Sequence, residues 1–308
     1  MESEKRNLLI LHLTVLVWGF TGVLGKLISI DAVPLVWYRV LIASTTLFAW
    51  FIITKKNIKV SKKQFIQFIL TGGIVAIHWI FFFHAIKVST VSVTLVCLSS
   101  FTLFTAILEP IIKKQPIQIG DVCIGLLIIL GIYMIFKFES QYTLGIIFGL
   151  LAAVASSLFS IINSSLVQKS EPSIIGFYEL VGALIWISLF RIYDGSLFNT
   201  HFNLTLKDWL YITLLGTFCT SVAYVAGVSV MRTLSAFRVA LITNLEPVYG
   251  VILAYIFFKN NEQMTGGFYI GATIIIGSIF LYPIYKKRRN KRQLNTVEKS
   301  LFKSDLNK

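Results

Sequence analysis

Apolar residues fall into ten runs, separated by short polar connections, and each run is long enough to cross a hydrocarbon core about 30 Å thick. The runs are Leu8 to Ile28, Pro34 to Ile53, Phe65 to Phe83, Val91 to Ile112, Val122 to Phe138, Leu144 to Val167, Ile174 to Tyr193, Trp209 to Val230, Ala236 to Phe258 and Phe268 to Tyr285. Each is read as a membrane-spanning helix, because a helix satisfies its own backbone groups where no water is at hand. The chain is therefore expected to be an all-α polytopic membrane protein with ten transmembrane helices.

The connections alternate in charge. With the N-terminus inside, the inner segments hold seventeen Lys and Arg, among them Lys5, Arg6, Lys55, Lys56, Lys113, Lys114 and Arg232. The outer segments hold five: Lys87, Lys137, Arg191, Lys207 and Lys259. Cationic residues collect in cytoplasmic loops, so both termini are expected in the cytoplasm. A basic cluster from Lys286 to Arg292 opens a polar tail, residues 286–308, which is expected to rest on anionic lipid head groups.

The runs repeat. Pro34-Leu-Val-Trp-Tyr38-Arg39 resembles Ile174-Ile-Gly-Phe-Tyr178-Glu179 at an offset of 140. Lys87, Gly120, Gly125 and Gly131 resemble Arg232, Gly266, Gly271 and Gly277 at offsets of 145 or 146. Two five-helix units follow, residues 1–138 and 144–285. Five is odd, so the second unit enters from the opposite side, the inverted-topology repeat of secondary transporters, which places a substrate site near the midplane. Leu108-Glu109-Pro110 and Leu245-Glu246-Pro247 look alike, but their offset of 137 departs from that of the glycines. They are read as unrelated by the repeat.

Composition agrees with a bilayer setting: 56% hydrophobic and 14% charged residues, against roughly 25% charged in soluble domains. The net charge of +14 is accounted for by topology rather than nucleic acid, since the cations sit in connections and not on one face. Cys97, Cys123 and Cys219 are odd in number and scattered in apolar sequence, which suggests packing rather than disulfides or zinc. The first run follows Lys5 and Arg6 as a signal peptide does, yet no small-residue cleavage site closes it, so it is expected to be retained. Gly19, Gly22, Gly25 and Lys26 fail the spacing of a phosphate-binding loop and are read as helix-packing residues. No His-Glu-x-x-His, Gly-x-Ser-x-Gly or paired catalytic aspartates occur within the runs, which leaves an intramembrane enzyme without a motif. A membrane scaffold or passive channel is the other alternative.

With Trp18-Gly19 in the first run, Tyr38-Arg39 in the second, and Gly-x5-Gly in the last run of each half (Gly125 to Gly131, Gly271 to Gly277), the sequence resembles the drug/metabolite transporter superfamily and, within it, the EamA-like family. That resemblance implies a central cavity and export of small metabolites such as amino acids by alternating access, without a cofactor, in the bacterial inner (plasma) membrane. The second half carries Leu158-Phe159 where the register places Trp18-Gly19, and Glu179 where it places Arg39, so the halves are not expected to share one function.

Ionisable groups inside a bilayer are costly unless paired or hydrated, which singles out Arg39, Glu179, Arg238 and Glu246. Arg39 and Glu179 lie about five residues into their runs, where snorkelling to the interface competes with a cavity role. Glu179 and Arg238 are expected at similar depth near the cytoplasmic mouth, as partners of an inner gate when that mouth is closed. Glu246 lies ten residues into the ninth run, too deep to snorkel. Pro247 beside it removes a backbone N–H and frees the carbonyl of Thr243, so a broken helix at midplane is expected, with Glu246 in a substrate or proton site. Arg39 is its candidate cationic neighbour. His78, Trp18, Tyr38, Tyr178, Tyr224 and Asn244 complete the candidate solute-binding set, each with ordinary packing as the competing role. His78 and His84 are six residues apart, on different helix faces, and Glu109 with Lys113 is read as a surface i,i+4 pair.

Overall fold

The structure, a computed structural model, describes residues 2–114, 119–196 and 204–278 together with 280, 281 and 284. The basic tail of residues 286–308, the loop around Phe198, the Cys123 side chain and the surroundings of Gly125 lie outside the described residues.

All regular elements among the described residues are helical. In order they are α1 (Glu2–Leu27), α2 (Ala32–Ile53), α3 (Lys62–Val88), α4 (Val91–Leu98), α5 (Phe101–Ile112), α6 (Ile119–Phe138), α7 (Thr143–Leu166), α8 (Pro172–Tyr193), α9 (Leu206–Gly216), α10 (Ala223–Val230), α11 (Ala236–Thr243) and α12 (Leu245–Phe258), followed by α13 (Gly266–Ser278). Eight segments are long and apolar enough to cross a membrane; α4 with α5, α9 with α10, and α11 with α12 each make one of them. The fifth and tenth apolar runs form the shorter apolar helices within α6 and α13. The protein is an all-helical, multi-pass membrane protein.

Local signals place the helix starts. Ser61 accepts from the Gln64 amide while the Gln64 side chain reaches back to Ser61, a capping box that opens α3. Thr205 and Asp208 do the same for α9. Pro172 stands in the first turn of α8, where its missing N–H has no intrahelical acceptor to lose. Large apolar side chains such as Leu9, Leu13, Ile53, Leu126, Ile129 and Ile256 point away from the bundle. In water they would form a sticky surface; in lipid they are the solvated face.

Three apolar runs are interrupted. The fourth breaks between α4 and α5 at Ser99 and Ser100, whose hydroxyls donate to the carbonyls of Val96 and Cys97 and divert acceptors from the helical ladder. The eighth widens to a π-helical segment over Thr217–Val222 between α9 and α10. The ninth breaks at Asn244, between α11 and α12. The Glu246-Pro247 pair was the expected locus, and the break falls two residues earlier. Pro247 becomes the third residue of α12, inside the first turn, where a missing N–H costs least.

α1 packs against α10 and α12, and α7 packs against α3, α4 and α5, while α2 and α8 lie against each other. These helices surround the site.

Candidate functional site

A cavity opens inside the bundle, bordered by Trp18 and Thr21 of α1, Arg39 of α2, His78, Trp79 and Phe82 of α3, Leu98 and Phe101 at the α4–α5 break, Ser156, Phe159 and Ser160 of α7, Tyr224 of α10 and Met231 just after it, Val239 and Thr243 of α11, and Glu246 of α12. Its wall is rich in aromatic rings and, among the described residues, carries the Arg39 guanidinium and the Glu246 carboxylate.

Arg39 is 2% exposed. Its Nε donates to Thr220 Oγ1 at 2.7 Å, and its guanidinium lies over the Trp79 ring at 4.1 Å and near Phe83 at 5.4 Å. The π-helical segment supplies Thr220, whose own hydroxyl bonds the Leu215 carbonyl. Such segments recur at functional sites because the extra residue re-aims side chains. Gly216 lets this segment approach α2: a Cβ there would stand 2.8 Å from Ile42 and 3.1 Å from the Arg39 carbonyl. Arg39 Nη1 has no hydrogen-bond partner among the described residues.

Glu246 is 7% exposed. It is the second residue of α12, where amide groups not yet engaged in the helix favour an anion. Its carboxylate forms no hydrogen bond or ion pair with another described residue, yet it is close enough to Arg39 for their charges to interact. Gly19 sets its surroundings, since a Cβ there would lie 2.9 Å from Tyr249 Cβ and 3.7 Å from the Glu246 carbonyl. The Trp18-Gly19 pair therefore brings an aromatic ring to the cavity and lets α1 lie close against the start of α12.

His78 Nδ1 donates to the Ala152 carbonyl at 2.8 Å, which fixes the ring and makes Nε2 the acceptor of the neutral form. Tyr224 packs edge-on to Trp79 with ring centroids 5.7 Å apart. Trp18, Arg39, His78, Tyr224 and Glu246 thus share one cavity.

The other five candidates stand elsewhere. Tyr38 packs against Trp37 and Trp209. The Tyr178 hydroxyl donates to the Ile58 carbonyl. Asn244 donates to Thr102 Oγ1 and the Ala240 carbonyl, bridging the break before α12 to α5. Arg238 and Glu179 do not meet in this structure. Arg238 lies in the first turn of α11, 48% exposed at its side chain, and pairs with Glu4 at 2.8 Å. Glu179 is 0% exposed and takes bonds from Tyr224 and Asn163. The long arginine reaches out to the polar surface, which the short glutamate, facing into the bundle, cannot do.

The EamA-like transporter family matches this sequence twice, over residues 5–137 and 143–283. The chain belongs to that family. Among its relatives, an uncharacterized transporter of Archaeoglobus fulgidus is 24% identical over 287 residues, 90% of this chain and 97% of its own. The uncharacterized transporter YxxF of Bacillus subtilis is 19% identical over 83% of this chain and 84% of its own. A solved crystal structure aligns with a TM-score of 0.67 over 91% of this chain and 98% of that one, at 16% identity, which is a likeness of fold.

This EamA-like chain also carries polar residues that the sequence did not single out. Three buried carboxylates gather at one end of the bundle. Asp208 accepts from Ser29 N and Oγ at 2.7 and 2.8 Å. Glu262 accepts from Val91 N, Ser92 N and Ser92 Oγ, at 3.0, 2.9 and 2.7 Å, and from Lys26 at 3.2 Å. Glu139 accepts from Thr265 N at 2.7 Å. Each ties a connection of one half to a helix end of the other, and Lys87 adds a bond to the Ile28 carbonyl. Read as isolated loop charges, they had no visible partners. The i+3 spacing from Thr205 to Asp208 was the one signal on offer. Within the cavity, Ser156, Phe159 and Ser160 were likewise passed over, although polar residues recurring down the sixth apolar run point to a non-lipid face.

Proposed function

We propose that this protein is a secondary transporter that exports small zwitterionic metabolites, amino acids with apolar side chains first among them, by alternating access. One observation carries the reading: the cavity brings Arg39, whose Nη1 is buried without a hydrogen-bond partner, together with Glu246, whose carboxylate forms no hydrogen bond or ion pair among the described residues, within a wall rich in aromatic rings. Buried charges left without protein partners are costly. A solute bearing a carboxylate and an ammonium completes both, while Trp18, Trp79, Phe82, Phe101 and Phe159 supply apolar surface for its side chain. In this role Tyr224 and His78 add polar edges, and Tyr38, Tyr178, Asn244 and Arg238 act as supports outside the cavity.

The proposal includes ten spans in two inverted units, residues 1–138 and 144–285, in the bacterial inner membrane with both termini cytoplasmic. The paired family matches support the two units. So does the reciprocity of packing, in which the first helix of each half, α1 or α7, lies against the third and fourth spans of the other. On the orientation given by the charge pattern, the Asp208, Glu262 and Glu139 contacts lie outside. In this reading they hold that side closed.

The test is counterflow in proteoliposomes with radiolabelled leucine and phenylalanine. Saturable exchange, competed by zwitterions and not by the corresponding amines or acids alone, is the expected result. Absence of exchange for every apolar amino acid overturns the solute assignment. Non-saturable flux of all three classes indicates a passive channel.

A further inference from the structure

Behind the cavity wall lies a second buried carboxylate that the solute reading does not use. Glu179 of α8 is 0% exposed, and all its polar neighbours are neutral. Tyr224 Oη donates to Glu179 Oε2 at 2.6 Å. Asn163 Nδ2 of α7 donates to the same oxygen at 3.2 Å and to Tyr224 Oη at 3.2 Å. Glu179 Oε1 and Asn163 Oδ1 are buried without a hydrogen-bond partner among the described residues.

We propose that Glu179, with Tyr224 and Asn163, is a proton-binding site one hydrogen bond behind the cavity, and that its proton is the ion exchanged for solute. A carboxylate at this depth needs a cation or a full set of donors, and the cluster supplies neither to Oε1. The carbonyl oxygen of a neutral acid tolerates the lack of a donor far better than a charged oxygen does. The groups on the packed elements leave the role to a proton. On α2, Arg39 is engaged with Thr220 and Trp79 and Tyr38 with Trp209, and on α3, His78 is engaged with the Ala152 carbonyl. On α10 the facing group is Tyr224 itself. Among the described residues no Lys, Arg or His forms an ion pair with Glu179.

Tyr224 supplies the route, because it borders the cavity and donates to Glu179 at once. A hydronium ion in the cavity passes a proton to Tyr224 Oη as the original phenolic proton moves to Glu179 Oε2. One O–H bond breaks and one forms at Tyr224, which stays neutral; one forms at Glu179, whose charge is lost; water remains. Afterwards Glu179 donates to Tyr224, and the tyrosine hydroxyl is released toward the cavity. Loading the site therefore reverses a hydrogen bond at the cavity wall, which makes the wall's polarity depend on the proton. Close packing fixes Glu179 there: at Gly182 a Cβ would lie 2.7 Å from the Ile69 carbonyl, and at Gly72 it would fall against the Glu179 carbonyl.

The test reads the proton directly and needs no solute. Infrared difference spectra of the purified protein in lipid membranes are recorded across a pH titration, with the C=O stretch of a protonated carboxyl as the readout. A deuterium-sensitive band is expected in the wild type, absent from Glu179→Gln and present in Glu246→Gln. If Glu179→Gln cannot be recovered from membranes, Tyr224→Phe must shift the band, because it removes the bond to Oε2. No band in the wild type, a full band in Glu179→Gln, or an unshifted band in Tyr224→Phe overturns the proposal. Loss of the band on adding sodium chloride at fixed pH also overturns it, by assigning the cluster to a metal cation. In proteoliposomes exchanging leucine, Glu179→Gln is expected to keep counterflow and lose accumulation driven by a pH gradient. Retained accumulation refutes the coupling role and leaves the solute site standing.

Discussion

Arg39→Lys separates charge from geometry at the proposed solute site. Arg39 is held by two contacts, the Nε bond to Thr220 at 2.7 Å and the face of Trp79 at 4.1 Å, and both leave Nη1 free. A guanidinium can keep its anchor with one nitrogen and bind a carboxylate with another. An ammonium is a single centre on a flexible stem, so it loses the Thr220 anchor or the solute. The expected loss is one hydrogen bond to a charged group, about 1.5–3 kcal/mol, which is roughly a 10- to 150-fold rise in dissociation constant. The assay is half-saturation of leucine counterflow, with equilibrium binding to the purified protein to separate affinity from rate, and gel filtration to show that the variant is folded. Thr220→Val should weaken binding less, because it leaves the fork intact and removes one positioning bond. An Arg39→Lys affinity within about twofold of wild type would mean that charge alone suffices, and the forked recognition argued here would be wrong.

Glu246→Gln keeps size and removes charge, and should raise half-saturation for amino acids by roughly tenfold or more while sparing amide-like solutes; an unchanged value makes Glu246 a structural partner of the helix break. Gly182→Ala sets a methyl group 2.7 Å from the Ile69 carbonyl, and should cost about 1–3 kcal/mol by overpacking; thermal unfolding in detergent identical to wild type would show that α3 and α8 yield freely. Glu262→Gln removes the charge that gathers Lys26, Val91 and Ser92, so a cysteine placed at Ser29, in a background without the native cysteines, should react faster with an impermeant thiol reagent from outside. Equal rates would deny that these contacts close that end. Reporter fusions after Lys56 and Lys114 should read as cytoplasmic and one at Asn260 as external; an external reading at Lys56 reverses the orientation and with it the side that is closed.

Hydropathy located the helices because burial in lipid selects for apolar residues all round, which a sequence shows directly. It located Glu246 because a carboxylate ten residues into an apolar run has no reason to be there without a partner or a task. What it could not show was pairing across the bundle. Arg39 finds Thr220 across 181 residues, Lys26 finds Glu262 across 236, and Glu179 finds Tyr224 across 45. The contact of Arg238 with Glu4 was hidden for the same reason, since depth along a helix was legible and direction around it was not. Hydropathy also gave no sign of the break at Ser99 and Ser100, where a continuous apolar run holds two hydroxyls positioned to compete for backbone carbonyls.

The two breaks beside the cavity bear on how such a site arises. Ser99 closes α4 and Asn244 closes α11, and the two positions are 145 apart (244 − 99), the offset that separates Lys87 from Arg232 and one short of the 146 between the repeated glycines. The conspicuous Glu-Pro pairs stand out of that register. If the halves descend from one unit, the inherited feature is the interruption itself, and the chemistry that produces it has diverged: paired serine hydroxyls in one half, an asparagine followed by Glu246-Pro247 in the other. Asn244 donates to Thr102, just beyond the first break, so the two interruptions are bonded to each other where the fourth and ninth spans meet. In the proposed transporter a solute that engages Glu246 acts on that junction, because Glu246 lies in the first turn of α12, two residues after the Asn244 that closes α11. The junction thus gives a short mechanical path from solute binding to the crossing of the two halves, and it explains why the charged member lies in the half whose break holds a proline, where the chain can bend without losing a backbone hydrogen bond.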